Sequence, residues 1–133
     1  MNSRYLKKII AQSPEDLHLI SACCFNASVK LSNIKYLSRN KIFLISLSRL
    51  NNEKDGKKSI NSILKFEFIE NSKSKNIDQN KLNLIIKLLG INLFKKNNNF
   101  EITLLFSKNR IITLSAEVIE ATLEDQKIND KNS

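Results

Sequence analysis

Alternation of apolar and polar residues is clearest over residues 100–125, where it predicts a long β-hairpin. The apolar face of the first arm consists of Phe100, Ile102, Leu104 and Phe106. After a polar turn at 107–110, the second arm changes phase near Val118 and Ile119. Because a shift of one residue moves every following side chain to the opposite face, the pattern predicts a β-bulge or sharp bend there. We expect the hairpin to curl around a core.

A helix is predicted from Pro14 to about Phe25. Ser13 precedes it with a side chain suited to capping, and Pro14 fits the first helical position. The two acids of the first turn complement the helix dipole. The apolar residues that share one face at helical spacing are Leu17, Ile20, Cys24 and Ala27. The helix is therefore expected to cover one opening or one face of the sheet.

Other apolar runs predict further strands, at residues 5–10, 28–31, 34–37, 41–50 and 59–70. The first is expected to be an edge strand, because Lys7 and Lys8 interrupt it. The segment 82–94 fits a helical stripe as well as a strand. Gly90 weakens a helix interior and commonly marks a strand bend, so we interpret the segment as a strand that shifts near this residue.

These elements predict an α+β fold in which an N-terminal helix packs on a strongly curved, mainly antiparallel meander sheet, or on a partly open barrel, of about seven strands. Pleckstrin-homology-like barrels offer an analogy of fold alone. We expect residues 1–124 to form a single domain and residues 125–133 to be a disordered tail. Asp55 and Gly56 are a strong turn signal and predict a mobile loop over residues 51–58.

The length of 133 residues suits one domain that folds without a disulfide or a metal. Cys23 and Cys24 are adjacent, so they lack the spacing of a long-range disulfide or a zinc site. We interpret them as buried thiols of a reduced compartment. No stretch has the pattern of a signal peptide or a membrane helix. The sequence therefore predicts a cytoplasmic protein.

The formal net charge is +9, and lysine supplies most of it. Abundant asparagine and isoleucine indicate a coding sequence rich in A and T, which by itself raises the lysine content. Positive charge nonetheless attracts phosphate groups. If alternate loops meet at one end of the sheet, an anion-facing rim is expected from Lys54, Lys57, Lys58, Lys108 and Arg110. An ordinary solvated surface is the favoured alternative, because the pattern contains no exposed aromatic stacking platform.

Composition excludes several kinds of site. His18 is the single histidine, which rules out a metal site built on several histidines. Gly56 and Gly90 are the only glycines, which rules out glycine-rich phosphate loops, dinucleotide fingerprints and nucleophile elbows. We predict no metal and no cofactor.

A cluster of acids offers one candidate site at the level of residues. The acids around the predicted bend are Glu117, Glu120, Glu124 and Asp125, and bulges often turn side chains toward functional sites. Arg49 ends a mostly apolar strand and is expected to pair with one of these acids. We assign Arg49, Glu117 and Glu120 as candidate binding residues, and we favour a structural ion pair over catalysis.

The order of short segments along the chain resembles that of a small alphaproteobacterial family of uncharacterised proteins, domain of unknown function 2948. The segments are SPEDLHLISA, VK, IKYL, KIFLISLSR, NID and VIEATLED, and they extend over nearly the whole chain. The matching positions include Asp16, Leu17, Ser21, Ala22, Lys30, Tyr36, Leu37, Phe43, Arg49, Asp78, Ile119, Glu120 and Ala121. This chain has lysine and asparagine where the family is richer in arginine and glycine. The resemblance implies a bacterial cytosolic domain of no stated activity, and it supports a strand over residues 84–94.

The sequence leaves three hypotheses of function. The leading one is a small non-enzymatic binding or protein-interaction module, which acts on a protein partner through a loop end or an exposed sheet edge. One alternative is a weak binder of nucleic acid or anionic headgroups through the lysine-rich loops. The other alternative is an enzyme that uses Arg49 with Glu117 or Glu120.

Overall fold

The computed structural model describes the backbone of residues 6–53 and 56–129, and the side chains of residues 6–50 and 59–126. Over these residues the chain forms one helix and nine strands. Their bounds are β1 Lys8–Ala11, α1 Pro14–Cys23, β2 Ala27–Leu37, β3 Ile42–Glu53, β4 Gly56–Phe66, β5 Ile69–Lys75, β6 Ile85–Lys96, β7 Asn99–Phe106, β8 Arg110–Ala116 and β9 Ala121–Asn129.

All nine strands belong to one open sheet with the order β1-β9-β4-β3-β2-β6-β7-β8-β5, and every neighbouring pair is antiparallel. The predicted α+β, mainly antiparallel fold is confirmed. The predicted number of about seven strands is too low. The strand predicted at 59–70 corresponds to β4, which ends at Phe66. The mostly polar segment after it forms a separate strand, β5, by pairing with β8.

Two continuous segments bend together where they pass from one half of the sheet to the other. The segments β4–β5 and β8–β9 lie side by side, with Phe66 opposite Ala121 before the bend and Ile69 opposite Ala116 after it. At the bend Phe68 adopts a φ of 61°, a left-handed conformation that reverses the direction of the chain locally. The sheet is thereby folded on itself without being closed by hydrogen bonds between β1 and β5.

Backbone hydrogen bonds hold this corner of the sheet. The Glu67 N–H donates to the Glu120 carbonyl at 2.9 Å, and the Glu117 N–H donates to the Phe68 carbonyl at 3.2 Å. The Ile69 N–H donates to the Lys41 carbonyl at 2.9 Å, which ties the corner to the turn between β2 and β3. Each donor is therefore satisfied although the regular ladder is interrupted.

The predicted bend near Val118 and Ile119 is present, but the long hairpin is shorter than predicted. Of the predicted second arm, only the part that forms β8 pairs with β7. Beyond the bend the chain enters β9, which pairs with β4 and β1 instead. Ile119 is buried whereas Val118 is exposed, so the phase shift in the sequence marks the change from one partner strand to another.

The helix prediction is confirmed, and the helix closes one side of the core. The Ser13 hydroxyl accepts a hydrogen bond from the Asp16 N–H at 3.2 Å, which caps the first turn. The helix ends at Cys23, two residues before the predicted end, and Leu17 (2%), Ile20 (0%) and the C-cap residue Cys24 (0%) are buried as predicted. Ala27, which was predicted to share this helix face, is also buried (1%) but is the first residue of β2. The helix contacts β1 and β6.

The ambiguous segment 82–94 contains a strand and no helix, as predicted. Its register against β7 shifts between Leu88 and Gly90, which confirms the expected irregularity. The Ile91 N–H that follows the shift donates to the Ser21 hydroxyl of α1 at 3.0 Å. The helix therefore supplies the hydrogen-bond partner next to the point where the ladder is disrupted.

Residue 125, at which the disordered tail is predicted to begin, lies within strand β9. Strand β9 continues to Asn129, and the side chain of Asp125 is fully buried. The physical reason is the pairing of β9 with β4, which extends from Phe66 opposite Ala121 to Ser59 opposite Asn129. Residues 130–133 lie outside the described part of the chain.

Candidate functional site

A hydrogen-bonded ion pair is buried between β3, β4 and β9. The Arg49 Nη2 donates to Asp125 Oδ2 at 2.7 Å, and Arg49 Nε donates to Asp125 Oδ1 at 3.1 Å. The Ser62 hydroxyl donates to Asp125 Oδ1 at 2.6 Å, and the Lys7 N–H donates to Oδ2 at 2.8 Å. The carboxylate of Asp125 thus accepts four hydrogen bonds in a fully buried position.

These hydrogen bonds fix the charge state of Asp125. Burial raises the pKa of this carboxyl, but the hydrogen bonds from Arg49, Ser62 and the Lys7 N–H and the Arg49 charge outweigh it. The net result is a pKa below the ordinary value, so Asp125 is ionised at neutral pH. A fully paired carboxylate of this kind serves structure, because it has no acceptor capacity directed at a ligand.

The structure brings Arg49 together with Asp125, and places the two predicted partners Glu117 and Glu120 elsewhere. Glu120 Oε1 accepts from Gln12 Nε2 at 2.9 Å. It precedes Asp125 by five residues, or about 16 Å along an extended strand. Among the described contacts, the Arg49 side chain meets Ser62 and Asp125, and neither Glu117 nor Glu120.

Glu117 lies instead at the corner of the sheet, beside an exposed ion pair. Lys41 Nζ lies 3.1 Å from Glu70 Oε2, and the two side chains are 47% and 36% exposed. The hydrogen bond from Lys41, followed by one with Glu117, lowers the pKa of Glu70. The hydrogen bond and charge of Glu70, and the charge of Glu117, raise the pKa of Lys41. The group is solvated, and it lines none of the grooves described below.

The thiols and the histidine show no arrangement for catalysis. Burial raises the pKa of Cys24 to about 12, so this thiol is protonated and unreactive at neutral pH. Cys23 is a half-buried free thiol, and His18 is exposed on α1. Among the described residues, no group of three or more His, Cys, Asp or Glu side chains is placed to hold a metal ion.

Of the predicted anion-facing rim, the structure describes the side chains of Lys108 and Arg110. Lys54, and the side chains of Lys57 and Lys58, lie outside the described part of the chain. Lys108 is exposed in the β7–β8 turn, with a φ of 60°. Arg110 Nη1 donates to the Ser107 carbonyl at 3.1 Å, so its guanidinium stabilises that turn.

A bulge in β2 creates the feature that sequence reasoning missed. Val29 lies opposite Leu47 and Ile34 lies opposite Ile45, so residues 30–33 of β2 face Ser46 alone. The extra residues do not pair with β3. They bond instead to β6 and to the segment before β6, where the Leu31 N–H donates to the Leu84 carbonyl at 2.9 Å. Its signal in the sequence is the polar pair Ser32 and Asn33, which lies between the predicted strands 28–31 and 34–37.

The bulge opens a groove of about 530 Å³ on the outer face of the sheet. Most of its surface is apolar, and Leu47, Ile63 and Ile85 contribute to it. The polar groups of the lining belong to Ser28, Lys30, Asn33, Ser46, Ser48, Asn61, Ser62 and Gln126. At its border Lys87 Nζ donates to the Ser28 hydroxyl at 2.9 Å. Lys30 is the one charged residue of this lining and no carboxylate belongs to it, so the groove places a positive charge beside hydroxyl and amide groups on a largely apolar surface.

Comparison with known proteins identifies a family but no function. The family model described as "Protein of unknown function (DUF2948)" matches residues 7–132, nearly the whole chain. No curated protein and no solved structure matches the chain. In the described part of the chain, no helix has both the length and the apolar character needed to cross a bilayer.

Proposed function

The chain belongs to the DUF2948 family of proteins of unknown function, and from this premise we propose that it is a non-catalytic module that binds a phosphorylated ligand in the outer groove. The observation that carries the proposal is the lining of that groove. It combines the Lys30 amine with hydroxyl and amide groups of β2, β3, β4 and β9, and contains no carboxylate.

The polar part of this lining matches the chemistry of a phosphate ester. A lysine ammonium attracts phosphate as a point charge, and hydroxyl and amide N–H groups donate to the phosphate oxygens. Lys30 lies within the bulge, and Lys87 is held at the border by Ser28. The volume of about 530 Å³ falls within the range of roughly 300–1,000 Å³ typical of small-molecule sites. A sugar phosphate or a mononucleotide has the appropriate size and polarity.

A role without catalysis is supported by the surroundings of the titratable groups. Catalytic acids and bases commonly have perturbed pKa values inside a cleft. The groups with shifted pKa values in the described chain are Cys24, Lys41, Glu70 and Asp125. Burial or an ion pair accounts for each shift, and none of these residues lines the groove.

We also propose a cytoplasmic location and a barrel-like architecture for this protein. Two free cysteines support a reduced, cytoplasmic compartment. The folded sheet with one helix against its core supports the comparison with pleckstrin-homology-like barrels, which is an analogy of architecture and carries no ligand with it.

Binding is tested by NMR titration of the isotope-labelled protein with ribose 5-phosphate, adenosine monophosphate and a short single-stranded RNA, with ribose and adenosine as unphosphorylated controls. We expect the phosphorylated probes to shift resonances of residues 28–33 and 46–48, and added salt to weaken their binding. The relative affinities of the two small probes and the RNA then distinguish a free phosphate ester from a nucleic acid.

A matched pair of charge reversals locates the site. Lys30→Glu is expected to weaken binding at least about tenfold, since a hydrogen bond to a charged group contributes roughly 1.5–3 kcal/mol. Lys95→Glu makes the same change at an exposed position far along β6 and is expected to change the affinity little. The proposal fails if no phosphorylated probe binds at low salt, or if both variants weaken binding equally.

A further inference from the structure

A second cavity, of about 280 Å³, lies on the inner side of the same β2 bulge. Its walls come from β2, where Ile34 and Tyr36 contribute, and from β5, where Ser72 and Ser74 contribute. Ile77 and Gln79 of the connection between β5 and β6 close it from above. We propose that this cavity binds a small neutral ligand with a flat apolar body.

The cavity exists because two strand edges face each other without pairing. The second half of β2 pairs with β3 on one side, and β5 pairs with β8 alone. In the described sheet no ladder joins β2 to β5, which is a terminal strand of the order. The Tyr36 hydroxyl crosses this gap and donates to the Ile69 carbonyl at 2.8 Å. The gap is thus bridged at one end and is open beside β5.

The connection above the cavity is held in place at both ends. The Asn76 side-chain amide donates to the Asn109 carbonyl at 2.7 Å. At the other end the Ser32 N–H, which belongs to the bulge, donates to the Leu82 carbonyl at 3.0 Å. Between them the Asp78 carboxylate accepts from the Asn80 N–H at 2.9 Å. These contacts preform the cavity, which limits the conformational entropy lost when a ligand binds.

The lining determines the class of ligand. Polar and apolar groups share the lining about equally, and the apolar part includes Leu31, Phe43 and Ile112, which are 7%, 2% and 3% exposed. The hydroxyls of Ser72 and Ser74 supply hydrogen-bonding groups on one wall, and no charged side chain belongs to the lining. An ionised ligand would lose hydration here without gaining an ionic partner, whereas a neutral ring with one polar atom fits both surfaces.

Indole is a suitable probe, because the chain contains no tryptophan and indole emission therefore reports on the ligand alone. We expect a blue shift and saturable binding of indole, together with nuclear Overhauser effects from indole to the methyl groups of Leu31 and Ile112. Indole-3-acetate, which adds a carboxylate, is expected to bind more weakly. Equal or tighter binding of indole-3-acetate would overturn the neutral class of ligand.

Filling the cavity provides the decisive comparison. Ser74→Phe places a ring at the cavity wall from an exposed position and is expected to weaken indole binding at least about tenfold. Asn71→Phe adds the same ring to β5 but lies outside the cavity lining and is expected to leave the affinity within about twofold. Melting curves verify that both variants fold. Absence of an emission shift with the wild type, absence of the expected contacts, or equal weakening by the two variants would each overturn the proposal.

Discussion

Two ion pairs of this protein join the same kinds of charge in opposite surroundings. Arg49 and Asp125 meet at 2.7 Å with side-chain exposures of 6% and 0%. Lys41 and Glu70 meet at 3.1 Å with exposures of 47% and 36%. The first pair is bidentate and is completed by Ser62 and the Lys7 N–H, whereas the second relies on one hydrogen bond between side chains in water.

The difference shows what each pair contributes to the fold. A buried charge has lost its hydration, so removing its partner leaves a penalty that the rest of the structure cannot offset. An exposed pair exchanges its partner for water at little net change in free energy. The buried pair therefore helps to hold β3, β4 and β9 together. The exposed pair adds little stability to a corner of the sheet that backbone hydrogen bonds already hold.

The largest effect is expected for Asp125→Ala. The substitution leaves the Arg49 guanidinium buried without its counter-ion, so the free energy of unfolding should fall by about 3–5 kcal/mol. Urea-induced unfolding followed by circular dichroism measures the change. Glu124→Ala removes the exposed neighbouring acid of the same strand, and is expected to remain within about 0.5 kcal/mol of the wild type.

A double substitution distinguishes the effect of leaving one buried charge unpaired from the effect of removing the whole ion pair. Arg49→Met combined with Asp125→Leu removes both charges and replaces them with apolar side chains. We expect it to recover most of the stability lost in Asp125→Ala, because no unpaired charge remains. A double variant that is less stable than Asp125→Ala would mean that packing, and not the uncompensated charge, dominates the effect.

An intermediate effect is expected for Ser62→Ala. This residue is 1% exposed, and its hydroxyl makes the 2.6 Å hydrogen bond to Asp125. Losing a hydrogen bond to a charged group should lower the free energy of unfolding by about 1–3 kcal/mol. Ser62→Cys keeps a weak donor of similar shape and should lose less. Equal stability of Ser62→Ala and the wild type would show that Arg49 and the Lys7 N–H alone satisfy the carboxylate.

Local patterns of the sequence are sufficient to predict several elements of this fold. The cap at Ser13 and the apolar face of α1 predict the helix, and Gly90 predicts the irregular strand. The phase change at Val118 and Ile119 predicts the bend in the chain. In each of these cases, the signal and the structure it specifies lie within a few residues of each other.

The remaining features depend on partners that are distant in the chain. Strand β5 is almost wholly polar, so its pairing with β8 has no periodic signal of its own. Asp125 has the local character of a tail residue, and only the register that places it opposite Ser62 shows that it is buried. The groove forms because residues 30–33 of β2 do not pair regularly with β3 at Ser46. The alternation of residues within one strand does not specify such a break in the pairing.

Acid weakens the buried pair through the titration of Asp125. Its pKa in the folded protein lies below the ordinary value of 3.8. Its contribution to stability is therefore present above pH 3.8 and is lost as the pH falls through the lower, folded pKa. The difference in unfolding free energy between the wild type and Asp125→Asn should be constant near neutral pH and narrow in acid. A difference that widens as the pH falls would reverse the sign of this linkage.

The smallest effect is expected for Glu70→Gln at the exposed pair. The substitution keeps the size of the side chain and removes the charge that faces Lys41, but water replaces the lost partner. The melting temperature, measured by calorimetry, should stay within experimental error of the wild type at physiological salt. Glu67→Gln, which affects the exposed contact of Glu67 with Lys65 at 3.6 Å, is the matched control. If Glu70→Gln instead destabilises the protein as much as Ser62→Ala, the corner of the sheet depends on this ion pair, and exposure is not what distinguishes the two pairs.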